Sequence, residues 1–193
     1  MAKRWTEKDL QRAEERIGGN GNNMIQDVKC SKVVGNPTYD STMEQDLFAG
    51  KWLSGEQLKE MGFVPLPIRA MGAVRTTKYI SVMPLERLSG KNMNAKLRWM
   101  EYCEYKDEVR WYAKPASVVS GVDVVAWFKV TDSWTKKEKA AKMWTRMEQK
   151  PDTDNIIKGV MDACMVKDEM VSLTFGVKWW SDMDVLWIRW RYK

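Results

Sequence analysis

The chain has 193 residues, 44% hydrophobic and 30% charged, with 32 Lys and Arg against 26 Asp and Glu and no histidine. That length holds one well-buried domain with an appendage, and no stretch nears the roughly eighteen apolar residues that a membrane span needs. Without histidine, Ser-His-Asp and Cys-His catalysis and His-ligated zinc are excluded, so any hydrolysis must rest on carboxylates, lysine or a hard metal ion.

Thr6 with Asp9 has the capping-box pattern for a helix to about Ile17, and the Gly- and Asn-rich run 18–23 then stops it. This segment is charged throughout and lacks the apolar core of a secretory signal, so a cytoplasmic location is expected. Cys30, Cys103 and Cys164 are odd in number and far apart, which suits buried thiols better than disulfides or metal knuckles. The chain is then turn-rich to Pro67, except where Ser54 and Gln57 cap a helical stretch that Gly62 closes. Residues 1–75 read as an N-terminal extension, a partner-binding arm or packing, and 76–193 as the domain that carries function.

From Gly72 onward the expected fold is α+β: a mixed sheet of about four strands, in the order β-α-β-α-β-β, flanked by helices. Thr77 to Met83, β-branched and closed by Pro84, reads as the first strand; a loop with Arg87 and Lys91 follows. Asn94 to Lys114 reads as a long helix whose aromatic residues, Trp99, Tyr102, Tyr105, Trp111 and Tyr112, surround its axis. They imply packing against more than one surface, with base stacking as the alternative. Val122 to Val130 alternates as a central strand does. Val171 to Val177 and Val185 to Tyr192, separated by the turn 180–183, read as a hairpin. The last strand places Leu186, Ile188, Trp190 and Tyr192 on one face and Val185, Trp187, Arg189 and Arg191 on the other, which is basic at its end.

The net charge of +6 suits an anionic partner. Residues 1–75 hold 11 Lys and Arg against 10 Asp and Glu, leaving 21 against 16 for the rest, so a phosphate-facing surface belongs to the C-terminal part. The densest basic stretch holds Lys136, Lys137, Lys139, Lys142, Arg146 and Lys150. Alone, such a run is as well explained by a solvated helix face.

The specific signal lies between the strands, in KPDTDNIIKGVMDACMVKDEMV, residues 150–171. Pro151 favours a helix start, which sets Asp152 and Asp154 at or near its N-terminus. At about 100° per residue, Asp154, Asn155, Lys158, Gly159 and Asp162 fall on one arc, and Ile156, Ile157, Val160, Met161 and Cys164 on the other. A structural reading suffices for the pattern alone: an aspartate caps the helix, and Asp154, Lys158 and Asp162 form a ladder of ion pairs worth a few tenths of a kcal/mol each. A calcium loop is excluded, because Ile156, Ile157 and Ala163 occupy positions that need a ligand, a glycine and a bidentate glutamate. A looser Mg²⁺ site of carboxylates and water stays open.

These residues resemble the RusA family of Holliday-junction resolvases. The likeness runs through Lys150-Pro151, the Asp152-Thr153-Asp154-Asn155 core, Lys158, Asp162-Ala163 and Asp168, with SWTKKEKAAK (133–142) similar to a basic stretch of phage members. It covers about residues 78–193. The resemblance implies an endodeoxyribonuclease, phage- or prophage-encoded, acting in the bacterial host cell as a homodimer. It would require Mg²⁺, for which Mn²⁺ could substitute, and would nick opposing strands of branched DNA. By the same likeness Asp152, Asp154 and Asp168 would hold the metal, Lys158 would stabilise phosphate charge with Asp162 orienting it, and Arg87 with the basic stretch would track DNA phosphates. Two departures stand out: the link from Asp162 to the next strand is short, and Lys167-Asp168-Glu169 replaces the usual acidic pair. Asp168 is therefore the preferred third acid and Glu169 the fallback. The changed acid leaves a non-catalytic branched-DNA-binding protein as the alternative, and an interaction module centred on residues 1–75 as a third reading.

Overall fold

The axis of the fold is a strand whose side chains are apolar on both faces. The computed structural model describes residues 41–193; the helix expected from Thr6 and the thiol of Cys30 lie outside the described residues. The helices are α1 (Ser41–Phe48), α2 (Gly55–Glu60), α3 (Lys78–Val82), α4 (Gly90–Ala113), α5 (Lys136–Lys142) and α6 (Thr153–Cys164). The strands are β1 (Val64–Leu66), β2 (Val119–Lys129), β3 (Leu173–Ser181) and β4 (Val185–Tyr192), and one-turn 3-10 helices occupy Leu85–Arg87 and Asp168–Met170. The architecture is α+β, a four-stranded mixed sheet flanked by helices, in the order β1-β4-β2-β3.

β2 pairs in parallel with β3, from Gly121 opposite Leu173 to Lys129 opposite Ser181, and antiparallel with β4 on its other edge. Val122, Val124, Ala126 and Phe128 face α4 and α6 through Tyr102, Tyr105, Val109, Ile156, Val160 and Met161. Val125 and Trp127 face the opposite way, into a second core with Trp179, Trp187, Leu47, Leu58 and Met61. Residues 41–66 are thus built into the sheet and its second layer, and Ile68 to Val74 pack into the first core: the segment supplies β1, and the Ser54–Gln57 capping box that starts α2 is present as expected. Cys164 is buried and Cys103 half-buried, and both are free thiols. Burial pushes the Cys164 thiol up to about 12, which suits packing rather than reaction.

Two expected elements are corrected. Thr77–Met83 is no strand: Thr77 Oγ1 accepts the Ile80 amide at 3.3 Å and caps the short helix α3, so local hydrogen bonding overrides a β-branched composition that has no sheet neighbour. The first strand is instead β1, where Val64 stands opposite Ile188. Nor do β3 and β4 form a hairpin. β2 lies between them, and the connection crosses its end, where the Asp184 carboxylate accepts the Lys129 amide at 3.0 Å. Alternation reports which side chains share a face, not which strand pairs with which.

The basic end of β4 is neutralised within the fold. Asp123, fully buried on β2, accepts Arg189 Nε at 2.8 Å and Arg191 Nε at 3.0 Å, and Glu44 of α1 accepts from both guanidinium groups at 2.9 and 3.2 Å. Gly121 makes room for this cluster, because a side chain there would stand 2.7 Å from the Leu173 carbonyl and 3.1 Å from Arg191 Cδ. Breaking a buried charge pair from one side costs about 3 kcal/mol or more. Asp123→Ala is therefore expected to lower unfolding stability by about 3 kcal/mol in urea titration, and a loss below about 1 kcal/mol would show that the cluster is not a structural tie.

Candidate active site

The approach to Asp152 begins at the outer edge of β3. Residues 144–147 lie along that edge: Trp144 N–H donates to Trp180 O at 3.0 Å, Trp180 N–H to Thr145 O at 2.9 Å, and Met147 N–H to Lys178 O at 3.0 Å. From this edge the chain passes through the cis Lys150–Pro151 peptide into α6. Asp152 is the N-cap residue of α6, yet its carboxylate makes no capping hydrogen bond. Asp154 lies one residue inside the helix, and both aspartates are exposed. Two oxygen-donor side chains thus stand two positions apart, uncommitted, at the partly positive end of a helix, where negative charge is favoured.

Two features of the opposing strand hold this end in place. Gly176 lies beneath it: a side chain there would stand 2.3 Å from Thr153 Cγ2 and 3.0 Å from Ile157 Cδ1. Two residues on, the buried Lys178 ammonium donates to Gln149 O at 2.6 Å and to Pro151 O at 2.8 Å. Burial pushes this ammonium down, and the Asp152 charge works against that shift. Neither residue stood out in the sequence, where both fall among the polar and small positions that alternate with Phe175 and Val177. The available signal was a lysine between Val177 and Trp179, in a strand that continues with Trp180. A third contact comes from residues 71–73: Ala73 N–H donates to Asn155 O at 2.8 Å, and Gly159 leaves room for the Met71 carbonyl to pass.

The polar arc of α6 is as expected in direction but not in pairing. Asp154, Lys158 and Asp162 are all exposed, and among the described residues no ion pair joins them. Asp162 accepts instead from Tyr102 of α4 at 3.1 Å, so it ties two helices together and does not orient Lys158. Burial, and then the Asp162 charge, push the Tyr102 phenol up.

Asp168 sits in the 3-10 turn beyond the C-terminus of α6. Twelve helical residues separate the two ends, about 18 Å at 1.5 Å per residue. Among the described residues no three acids gather into a metal-sized group. Glu169, the fallback acid, lies in the same turn and pairs with Lys167 at 3.5 Å. Asp152 and Asp154 therefore fit a hard cation by donor type and placement, while neither Asp168 nor Glu169 joins them within one copy of the chain.

Of the basic residues, Lys136, Lys137, Lys142 and Lys150 are exposed on α5 and the segment that follows it. Lys139 donates to Asp132 O at 3.1 Å. Arg146 reaches Ala49 O at 3.1 Å and stacks over Trp179, so it fastens residues 49–50 to β3. A cleft of about 340 Å³ between α5 and the start of the acidic run is lined by Lys142, Thr145, Arg146, Gln149 and Trp180. Arg87 is exposed on the first 3-10 turn. No helix among the described residues is long and apolar enough to cross a membrane.

No curated protein and no solved structure matches the chain. Residues 86–181 match the model of a family described as Endodeoxyribonuclease RusA, a stretch that contains α4, β2, α5, α6 and β3. Both exposed aspartates, the strand beneath them and the basic helix before them fall inside it, and this stretch is a domain of the RusA family of endodeoxyribonucleases, the Holliday-junction resolvases.

Proposed function

We propose that the protein is a metal-dependent, structure-selective endodeoxyribonuclease of the cytoplasm that resolves Holliday junctions and related branched DNA by paired nicks, working as a homodimer. The observation that carries this reading is the pair of exposed, uncapped carboxylates, Asp152 and Asp154, at the start of α6. Mg²⁺ is commonly held by one or two carboxylates, with water and substrate phosphate completing its shell, so this pair suits Mg²⁺, with Mn²⁺ as a substitute. When bound, such an ion supplies Lewis-acid stabilisation and a water of lowered pKa. The chain's own residues do the rest. Asp152 and Asp154 place the ion, and the helix end favours a phosphate beside them. Lys158, one turn along, faces the charge that develops on the phosphate. The 76–193 part carries this chemistry, and residues 41–75 complete the fold beneath it.

The basic residues track the DNA backbone, with exposed Lys136, Lys137, Lys142 and Lys150 as the main phosphate contacts and Arg87 and Lys139 beside them. Arg146, held by the Ala49 carbonyl, shapes the cleft rather than reaching outward. The dimer gives the third acid its place: Asp168, far from Asp154 in one copy, joins the pair from the second copy. The separation of Asp168 from the pair also favours a second reading, a branched-DNA-binding protein without nuclease activity.

Three measurements decide among these readings. Wild-type protein is expected to nick a synthetic four-way junction symmetrically in Mg²⁺, and Asp154→Asn to lower the rate at least about 100-fold, since a metal contributes several kcal/mol to such a step. Tight junction binding without nicking in Mg²⁺ or Mn²⁺ would establish the second reading. Replacing Lys136, Lys137 and Lys142 with alanine is expected to flatten the salt dependence of junction binding by about 2–3 in log–log slope, and an unchanged slope would remove α5 from the interface. Finally, mixing inactive Asp154→Asn and Asp168→Asn proteins should restore one nick per junction, because a mixed dimer regains one intact site. No restoration in verified mixed dimers would place both acids in one copy or remove Asp168 from the chemistry.

A further inference from the structure

We propose that Gly176 and Lys178 of β3 are positioning residues that together form the seat of the Asp152–Asp154 pair, so that a strand lying beneath the acids sets their metal affinity. The inference rests on the reading of those acids as metal-binding and goes beyond it to residues that touch neither metal nor DNA. Positions 176 and 178 are two apart and share one face of β3. That face is held in register by β2, with Gly176 opposite Val124 and Lys178 opposite Ala126.

The two residues act on the two sides of Asp152. Lys178 is 8% exposed, and its two hydrogen bonds bracket the approach, taking the carbonyls of Gln149 and Pro151. An ammonium on a four-carbon stem can point into both acceptors at once, and a buried charge that satisfies two carbonyls fixes them firmly. Gly176 controls the other side. Its missing side chain lets Thr153, the residue between the two aspartates, settle against the strand with Ile157 beside it. Filling that gap must displace Thr153, and with it the first turn of α6 that carries it, because 2.3 Å to Thr153 Cγ2 and 3.0 Å to Ile157 Cδ1 leave the new side chain no room between them. Outer-shell groups that orient ligands in this way typically change metal affinity 10- to 100-fold when removed.

The test measures Mn²⁺ binding to the full chain by electron paramagnetic resonance, beside junction affinity without divalent metal and the thermal midpoint. Lys178→Met is expected to weaken Mn²⁺ binding about tenfold or more, with junction affinity within about twofold of wild type and the helical signal retained. Lys178→Arg should recover part of the loss. Gly176→Ala should weaken Mn²⁺ binding in the same direction, and Thr153→Ser added to it should restore affinity, because it removes the methyl that collides. Wild-type Mn²⁺ affinity in both Lys178→Met and Gly176→Ala would overturn the seat while leaving the metal reading intact. So would a loss that Thr153→Ser fails to repair and that falls equally on junction binding and thermal midpoint, since that is the mark of general unfolding. A wild-type chain that binds no Mn²⁺ would overturn the metal reading itself and the seat with it.

Discussion

Parallel pairing of β2 with β3 is the constraint from which the site follows. A strand can meet its successor in parallel only if the chain returns the full length of the first strand before starting the second, usually through helix. Here the return is made by α5, the edge segment 144–147 and α6, between Lys129 and Leu173. α6 runs back above the sheet, so its N-terminus lies over the middle of β3 while its C-terminus ends near the start of β2, where the Cys164 thiol meets the Ala113 carbonyl. The same route carries the basic residues of α5 past the outer edge of β3 immediately before the acids. The basic residues and the exposed aspartates are thereby delivered together by one crossover.

The sheet can support this crossover because it is packed on both sides. The layer of α1 and α2 covers the face that bears Trp127, Trp179 and Trp187, and the Asp123–Arg189–Arg191–Glu44 cluster ties that layer to the two central strands. The other face is then free to carry α4 and α6. A chain without histidine has few ways to cleave a phosphodiester, and under the proposed function the exposed aspartates at the start of α6 would supply the one that remains: oxygen ligands for a hard ion, beside a basic surface suited to DNA.

The parts legible in the sequence are those set by neighbours along the chain. The amphipathic arcs of α6, the alternation of β2 and the faces of β4, and the Ser54–Gln57 cap all follow from local periodicity and hydrogen-bond chemistry, and all are present. The acidic motif was equally visible, since its spacing carries the family pattern. What was not legible depends on residues distant in sequence. Insertion of β2 between β3 and β4 is invisible to alternation. Arg189 and Arg191 read only as the basic end of one strand face, because Asp123 and Glu44, which neutralise them, lie more than sixty positions away in the chain. Lys178 was hidden for the same reason: its acceptors are backbone carbonyls, which leave no trace in composition. Asp162 faces the polar side as expected, but its partner, Tyr102, arrives from another helix.

The most direct test of the account is a crystal structure of the wild-type chain with Mn²⁺, located by its anomalous scattering. The account predicts a peak at the start of α6, with oxygens of Asp152 and Asp154 within about 2.0–2.3 Å and Lys178 still bound to the carbonyls of Gln149 and Pro151. A fully occupied Mn²⁺ site elsewhere in the protein, with these two carboxylates bare, would contradict it.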